Sequence, residues 1–494
     1  MKRIILNPNY VLKPDKGKTL MMSSLVGRNR QKGISDSFTN IIHPIYAMIL
    51  SFMDGRDFET CIHEAAKELS VSDELIRGFT EKLIDNPLSV NIKNNNQVSS
   101  FPPNTIISVG KEECKKRYSA DLFNYSEVDL TMDRHMTPST ITLMVNNVCA
   151  TNCIYCYQDK SRIVNCTIPL KRIEEIIDEA CNLNVNTFDV IGGEFFLYKN
   201  WKEVLKKLRS NGFNPYISTK IPLSREDIEY LSSIGIIDIQ VSIDSAIEEH
   251  LISSLAIKKG YVNKMIESLR LLEEFQIPVM IHSVLTKYND TIEDIQSVYN
   301  IISELSNLVD WHVVKGDPTL YPKTEYSSIE ITPEAQNKIV DYLNDLNSLG
   351  KIKIKVPEKI ISAQEISTDT EANNAVIYNK FFQRSLCSGL YSGLYILPNG
   401  DVTICEQLYW KKRFIIGNIL KNSIEEIWNS EKAKSLFYIK QEDIPEDSQC
   451  HHCKVFKECR SVRQVCYREI IRKYGDDKWY YPDPMCPFSK TFQN

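Results

Sequence analysis

The chain has 494 residues, 43% of them apolar and 25% charged, with a formal net charge of −5. That size fits two or three domains with substantial cores, and the negative charge speaks against a nucleic-acid partner. The N-terminal stretch MKRIILNPNYVLKPDKGK is too polar for a signal peptide, and the longest apolar run, residues 45–53, is too short to span a bilayer, so a cytoplasmic protein with no membrane partner is expected.

In chain order, residues 10–12 and 19–23 flank KPDKGK and read as a β-hairpin. Helical patterns follow at 44–53, at 58–69 and, after the cap-like Ser72, at 73–85. Short strands and then three helices form the pattern of a small winged-helix domain over residues 1–90. Residues 91–135, with NNNQ and FPPN, read as a linker with little regular structure. From 136 to 356 strand and helix patterns alternate. Strands are expected at 141–148, 187–191, 215–219, 237–243, 279–285 and 311–314. Helices are expected at 170–182, 201–210, 225–234, 262–275, 292–305 and, capped by Thr332, at 333–349. Six successive βα units imply an α/β fold with a parallel sheet and right-handed crossovers, an open or closed barrel. Chemistry in such barrels collects at the C-terminal ends of the strands.

The cysteines carry the chemical signal. Of fourteen, Cys61, Cys114, Cys166 and Cys181 are scattered and read as small buried hydrophobes; the other ten fall in two groups. In a cytosolic chain such groups are metal ligands rather than disulfides. Cys149, Cys153 and Cys156 form C-x3-C-x2-C directly after the first barrel strand. Soft thiolates select iron–sulfur clusters or zinc. Structural zinc wants four ligands, whereas three cysteines holding a cubane leave one iron open. The same rim offers Gly192-Gly193-Glu194 after the second strand, Ser218 and Thr219 at the third, and Ser242 and Asp244 at the fourth.

CATNCIYC followed by GGEFF resembles the radical S-adenosylmethionine (radical SAM) enzymes, whose fold is a partial (β/α)6 TIM-type barrel. The resemblance implies that Cys149, Cys153 and Cys156 hold a [4Fe–4S] cluster and that Tyr155 lies against the adenine of S-adenosylmethionine. Gly192, Gly193 and Glu194 would meet the methionine amino group, while Ser218, Ser242 and Asp244 would hold the ribose and the methionine carboxylate. Lys259-Gly260 stands where the family often has Arg-Gly. The N-terminal hairpin, IYAMILSFMDGRDFETCIHEAAKEL and the closing helix resemble the RiPP recognition element, which binds the leader of a ribosomal precursor peptide as an added strand.

Residues 357–494 repeat the metal pattern. Cys387 and Cys405 flank LYILPNGDVTI, and Cys450-x2-Cys453-x5-Cys459 is followed by Cys466 and Cys486. Together with GNILKNSIEEIWNSEKAKSL and YPDPMCPF, this resembles the SPASM domain of radical SAM maturases. The resemblance implies two auxiliary clusters, one on Cys387, Cys405 and Cys466 and one on Cys450, Cys453, Cys459 and Cys486, hence three [4Fe–4S] clusters in all. The sequence departs from the family in two places. Arg463 fills the position of an expected cysteine, and no cysteine lies shortly upstream of Cys387. His451 and His452 read as exposed rather than as ligands. Glu406 follows Cys405 where related anaerobic sulfatase maturases have a proton-accepting Asp.

The implied activity is reductive cleavage of S-adenosylmethionine to a 5′-deoxyadenosyl radical that takes hydrogen from a residue of the precursor peptide. The product would be a thioether, a carbon–carbon or ether crosslink, or a formyl-type oxidation, and a flavodoxin- or ferredoxin-type protein would be the electron donor. Two alternatives stand beside it: sulfatase-maturase-like oxidation of a protein side chain, and a peptide-binding scaffold with structural cysteines.

Overall fold

The computed structural model describes residues 2–23, 38–94, 97–110, 118–360, 378–384 and 386–489. The chain forms two compact units, one of residues 1–139 with 184–186 and one of residues 140–183 with 187–494.

The first unit holds β1 (Arg3–Leu6), β2 (Tyr10–Asp15), β3 (Lys18–Ser23), β4 (Thr39–Ile42), β5 (Asp54–Asp57), β6 (Val90–Asn94), β7 (Gln97–Phe101) and β8 (Ile106–Val109), with helices α1 (Pro44–Ser51), α2 (Phe58–Leu69) and α3 (Asp73–Leu83). The expected hairpin is β2–β3, closed at Asp15↔Lys18 and continued by β4. Gly17 turns it at φ +66°. Asp57 caps α2 through the amides of Glu59 and Thr60, whereas the Ser72 side chain makes no cap bond to α3. Apolar faces of strands and helices, including Ile4, Leu12, Met21, Leu50, Ile62 and Phe79, share one core. The linker expectation for 91–135 is corrected, because β6, β7 and β8 lie there and β8 pairs with β1. Asn91, Lys93, Ser99 and Ser100 leave β6 and β7 too polar to register as strands by pattern alone.

In the second unit, α/β alternation runs β9 (Thr140–Met144), α4 (Leu170–Asn182), β10 (Thr187–Ile191), α5 (Trp201–Ser210), β11 (Ser218–Thr219), α6 (Arg225–Ser233), β12 (Ile239–Ser242), α7 (Glu248–Leu255), α8 (Tyr261–Glu274), β13 (Val279–Leu285), α9 (Ile292–Ile302), β14 (Leu308–Lys315), α10 (Pro333–Ser348) and β15 (Ile354–Lys355). Helix starts follow side-chain caps: Ser224, Thr291 and Thr332 each accept the amide three residues on. All six strands expected here exist, but they fall into two sheets. Strands β11 to β15 form one parallel sheet in sequence order. The other is β10–β9–β16–β17–β18, completed by β16 (Gly393–Ile396), β17 (Asp401–Thr403) and β18 (Ile415–Asn418). The β16 strand runs parallel to β9, so residues beyond 357, read as a separate domain, share a sheet with the barrel strands inside one compact unit. Among the described residues no helix is long and apolar enough to cross a membrane.

Candidate active site

The C-x3-C-x2-C segment leaves the end of β9 as a loop pinned from several sides. Asn147, 1% exposed, donates to the carbonyls of Asp159 (2.9 Å) and Arg162 (2.6 Å) and accepts from the Val164 amide (2.7 Å). On the far side the amides of Asn152 and Ile154 donate to the carbonyls of Leu255 (2.7 Å) and Ser254 (3.0 Å) at the end of α7. Lys323 Nζ donates to the Cys153 carbonyl at 3.0 Å. The Thr151 hydroxyl contacts Cys149 Sγ at 3.4 Å and Cys153 Sγ at 3.3 Å, which keeps these sulfurs within about 7 Å of each other. Burial pushes the Cys156 thiol up.

Gly192-Gly193-Glu194 closes against this loop. The Gly193 and Glu194 amides donate to the carbonyls of Asn146 (2.8 Å) and Val148 (2.7 Å), and Cys149 Sγ donates to the Gly193 carbonyl at 3.5 Å. A Cβ on Gly193 would stand 2.1 Å from the Val148 carbonyl oxygen, so only glycine fits. Glu194 is 2% exposed and accepts the amides of Lys220 (3.0 Å) and Phe196 (3.3 Å). Burial nonetheless pushes its carboxyl up to about 7.

Across the rim Tyr155, Asp244 and Lys220 form one network. Tyr155 Oη donates to Asp244 Oδ2, and Lys220 Nζ donates to Asp244 Oδ2 at 2.8 Å and to Tyr155 Oη. Burial opposes the Lys220 charge, but the Asp244 carboxylate outweighs it and holds the ammonium above its ordinary range. Asp244 Oδ1 accepts the Val284 amide (3.1 Å), and Tyr261 Oη donates to the Lys220 carbonyl (2.8 Å). Ser218 pairs in register with Gln240, two residues before Ser242. Thr219 accepts the Ile221 amide (3.1 Å).

The C-terminal cysteines gather in two groups. Cys450, Cys453, Cys459 and Cys486 line one small cavity with Arg460. Arg460 is 1% exposed and donates to Cys450 Sγ at 3.5 Å, while its Nε and Nη1 are buried without a partner. Cys387, Cys405 and Cys466 lie close enough to act on one another electrostatically, and burial followed by Glu406 pushes Cys405 up to about 12. His451 is half-buried, with Nδ1 2.5 Å from the Ile444 carbonyl, and His452 is exposed. Cys61 is buried as expected, but Cys181 is exposed and Cys166 half-buried, which corrects their reading as core hydrophobes. Cys114 and the Arg463 side chain lie outside the described residues.

Register pairs align Asp189, Thr142, Tyr395 and Thr403 in one row across β10, β9, β16 and β17. Glu406 follows this row and accepts no hydrogen bond from a described residue; burial, then the charge of Asp189, push its carboxyl up. Tyr157 is raised by burial first and then by the charges of Glu406 and Cys156.

These residues fit iron–sulfur groups. The donors are soft thiols, and the buried Arg460 guanidinium, with two nitrogens unpaired among the described residues, lines the cysteine cavity and supplies a positive charge that suits an anionic thiolate-held cluster. Among the described residues no three His, Cys, Asp or Glu side chains close tightly enough for a single metal ion. Residues 143–302 match the radical SAM superfamily, and residues 387–454 match SPASM, an iron-sulfur cluster-binding domain. The chain carries a radical SAM domain and a SPASM domain.

The chain is 22% identical over 361 residues to the antilisterial bacteriocin subtilosin biosynthesis protein AlbA of Bacillus subtilis, covering 72% of each chain. It is 25% identical over 160 residues to the sporulation killing factor maturation protein SkfB of the same organism, over 32% of this chain and only 38% of that relative's length. Its fold is similar to that of Streptococcus suis SuiB bound to S-adenosylmethionine, with TM-score 0.63, 15% identity and coverage of 98% and 99% of the two chains. SuiB bound to its precursor peptide SuiA also matches at TM-score 0.63, with 16% identity and coverage of 98% and 100%.

Several site residues escaped sequence reasoning. Lys220 lies one residue past the expected strand end and reads as a surface lysine. Asn147 sits in an apolar run with no sign of its three-bond staple. The helix α7 falls between the strand expected at 237–243 and the helix expected at 262–275, in a stretch with no element assigned. Arg460 had one available signal, a cation between Cys459 and Cys466.

Proposed function

We propose that this chain is a radical SAM maturase of a ribosomally made peptide. The observation that carries the reading is the backbone contact of the Cys149–Cys156 loop with Gly193 and Glu194, which sets the cysteine-bearing loop beside a segment that holds a buried carboxylate. In this reading Cys149, Cys153 and Cys156 hold the cluster that binds S-adenosylmethionine. Cys387, Cys405 and Cys466, and separately Cys450, Cys453, Cys459 and Cys486, hold two auxiliary clusters, three in all. When bound, cluster and nucleotide supply reductive cleavage to a 5′-deoxyadenosyl radical that takes hydrogen from a substrate carbon.

The chain's own residues do the rest. Glu194, with a carboxyl raised by burial, lowers its pKa and ionises once the methionine ammonium sits beside it. Tyr155, with Lys220 and Asp244 behind it, fixes the nucleotide side of the site, and Ser218 and Ser242 add polar contacts. Glu406, which accepts no hydrogen bond from a described residue, takes the proton released when the substrate radical loses its second electron, for which the auxiliary clusters would be the acceptor. The residues of the first unit serve as the leader-binding, RiPP recognition element-like part, for which AlbA and the peptide-bound SuiB are the supporting relatives. An external protein donates the electron.

The test is anaerobic reconstitution, followed by assay on a precursor peptide sought among the short open reading frames next to the gene. Iron near twelve per chain, falling to about eight in the C149A/C153A/C156A variant, supports three clusters. Peptide modification lost in Glu406→Gln with 5′-deoxyadenosine still formed supports the proton-acceptor role; full turnover removes it. Leader binding by residues 1–139 alone supports the first unit's role, and its absence contradicts it.

A further inference from the structure

The Thr151 hydroxyl that touches Cys149 and Cys153 also lines a surface cleft of ≈ 380 Å³. The cleft walls are apolar, with Ile221, Ile257 and Tyr261, and Lys258, Lys259 and Lys264 border it, all three exposed. None of these lysines forms an ion pair with a described residue. Glu248, whose charge reaches Lys259, is engaged by backbone: its Oε1 accepts the amides of Gly260 (2.8 Å) and Val262 (3.3 Å). Gly260, at φ +86°, completes the turn, so the lysine-bearing loop is held in place before anything binds. Ala150 and Asn152 are exposed beside the cleft, and Lys323 adds a further exposed cation on the Cys153 carbonyl.

An apolar centre ringed by one sign of charge is the make-up of a small, electrostatically steered protein interface. A free small anion would need donors inside the cleft, whose lining is instead mostly hydrocarbon. One residue, Thr151, both lines the cleft and touches two of the cysteine sulfurs. We propose that it is the docking socket of an acidic one-electron carrier protein. On docking, the reduced carrier loses one electron and the cluster held by Cys149, Cys153 and Cys156 gains it, with no bond made or broken. This rests on the radical SAM reading. Contact of this size is transient, and its rate falls with ionic strength.

The experiment uses the anaerobically reconstituted full chain and two acidic probes, a bacterial flavodoxin and a [2Fe–2S] ferredoxin. Binding to at least one is expected at low salt. It should weaken at least about tenfold in K258E/K264E or on adding salt, and persist in K258R/K264R. In parallel, 5′-deoxyadenosine driven by the small reductant dithionite stays at the wild-type rate in the charge-reversed variant, while carrier-driven formation falls at least about tenfold. The proposal is overturned if neither carrier binds the wild type, if the reversed variant binds as well as wild type, or if dithionite-driven formation falls alongside carrier-driven formation. A wild type that makes no 5′-deoxyadenosine with dithionite contradicts the radical SAM reading instead, and the binding comparison still decides the docking.

Discussion

Replacing Gly193 by alanine tests how the cysteine loop is locked. A Cβ there would lie 2.1 Å from the Val148 carbonyl oxygen, 2.5 Å from its carbon and 2.6 Å from the Asn147 carbonyl carbon. All three are backbone atoms, so no side chain can swing away, and the two segments must part by close to 1 Å. That movement strains the Gly193–Asn146 and Glu194–Val148 bonds, at 2.8 and 2.7 Å. Two hydrogen bonds at ~1 kcal/mol each, added to an overpacking cost of ~1–3 kcal/mol, give a loss of roughly 3–5 kcal/mol in the second unit. Gly78 is the control: it sits inside α3 with nothing within 4 Å, and alanine there should stabilise the helix by ~0.5–1 kcal/mol. All five tryptophans lie in the second unit, so their fluorescence during urea unfolding isolates it. Gly193→Ala should lower that midpoint and the iron retained after reconstitution, while Gly78→Ala should change neither. A Gly193→Ala protein with wild-type midpoint and iron content would refute the backbone-contact reasoning.

Glu194 makes the second unit sensitive to pH. Its folded pKa is raised from 4.5 to about 7, so its contribution is fully present below pH 4.5 and is lost as pH climbs through 7. The loss is roughly 3 kcal/mol in the cluster-free chain, and Glu194→Gln should flatten that part of the urea-midpoint profile between pH 5 and 8; an unchanged profile would argue against a buried acid here. Lys220→Met leaves Asp244, 2% exposed, without its cation. Equilibrium dialysis should show weaker S-adenosylmethionine binding, with a stability loss of ~3–5 kcal/mol; wild-type affinity would remove Lys220 from the site. Arg460→Met takes a buried positive charge from beside Cys450, so an EPR redox titration should find one auxiliary potential lowered by on the order of 100 mV, with Arg460→Lys in between. An unmoved potential would mean that no cluster occupies that cavity.

The barrel was legible because its strands and helices obey local rules: Val279–Leu285 is a β-branched, mostly apolar stretch broken only by His282 and Ser283, and Thr332-Pro333 announces a helix start. The cysteine trio and GGE were legible because their spacing is itself the chemical requirement. What stayed hidden depends on contacts between distant residues. No local pattern says that β16 pairs with β9 rather than starting a new domain, or that the barrel strands part between β10 and β11. Lys220 gains its meaning only from Asp244, and Asn147 only from the carbonyls of Asp159 and Arg162. β6 and β7 are strands because they pair with each other, with little apolar patterning to show it.

The central claim is that Cys149, Cys153 and Cys156 support reductive cleavage of S-adenosylmethionine. Its most direct test is 5′-deoxyadenosine released per chain under anaerobic dithionite, comparing wild type with C149A/C153A/C156A. Formation by the wild type and none by the variant, with the auxiliary iron retained in both, is the expected result. Equal formation by both, or none by a wild type loaded with iron, would contradict the assignment.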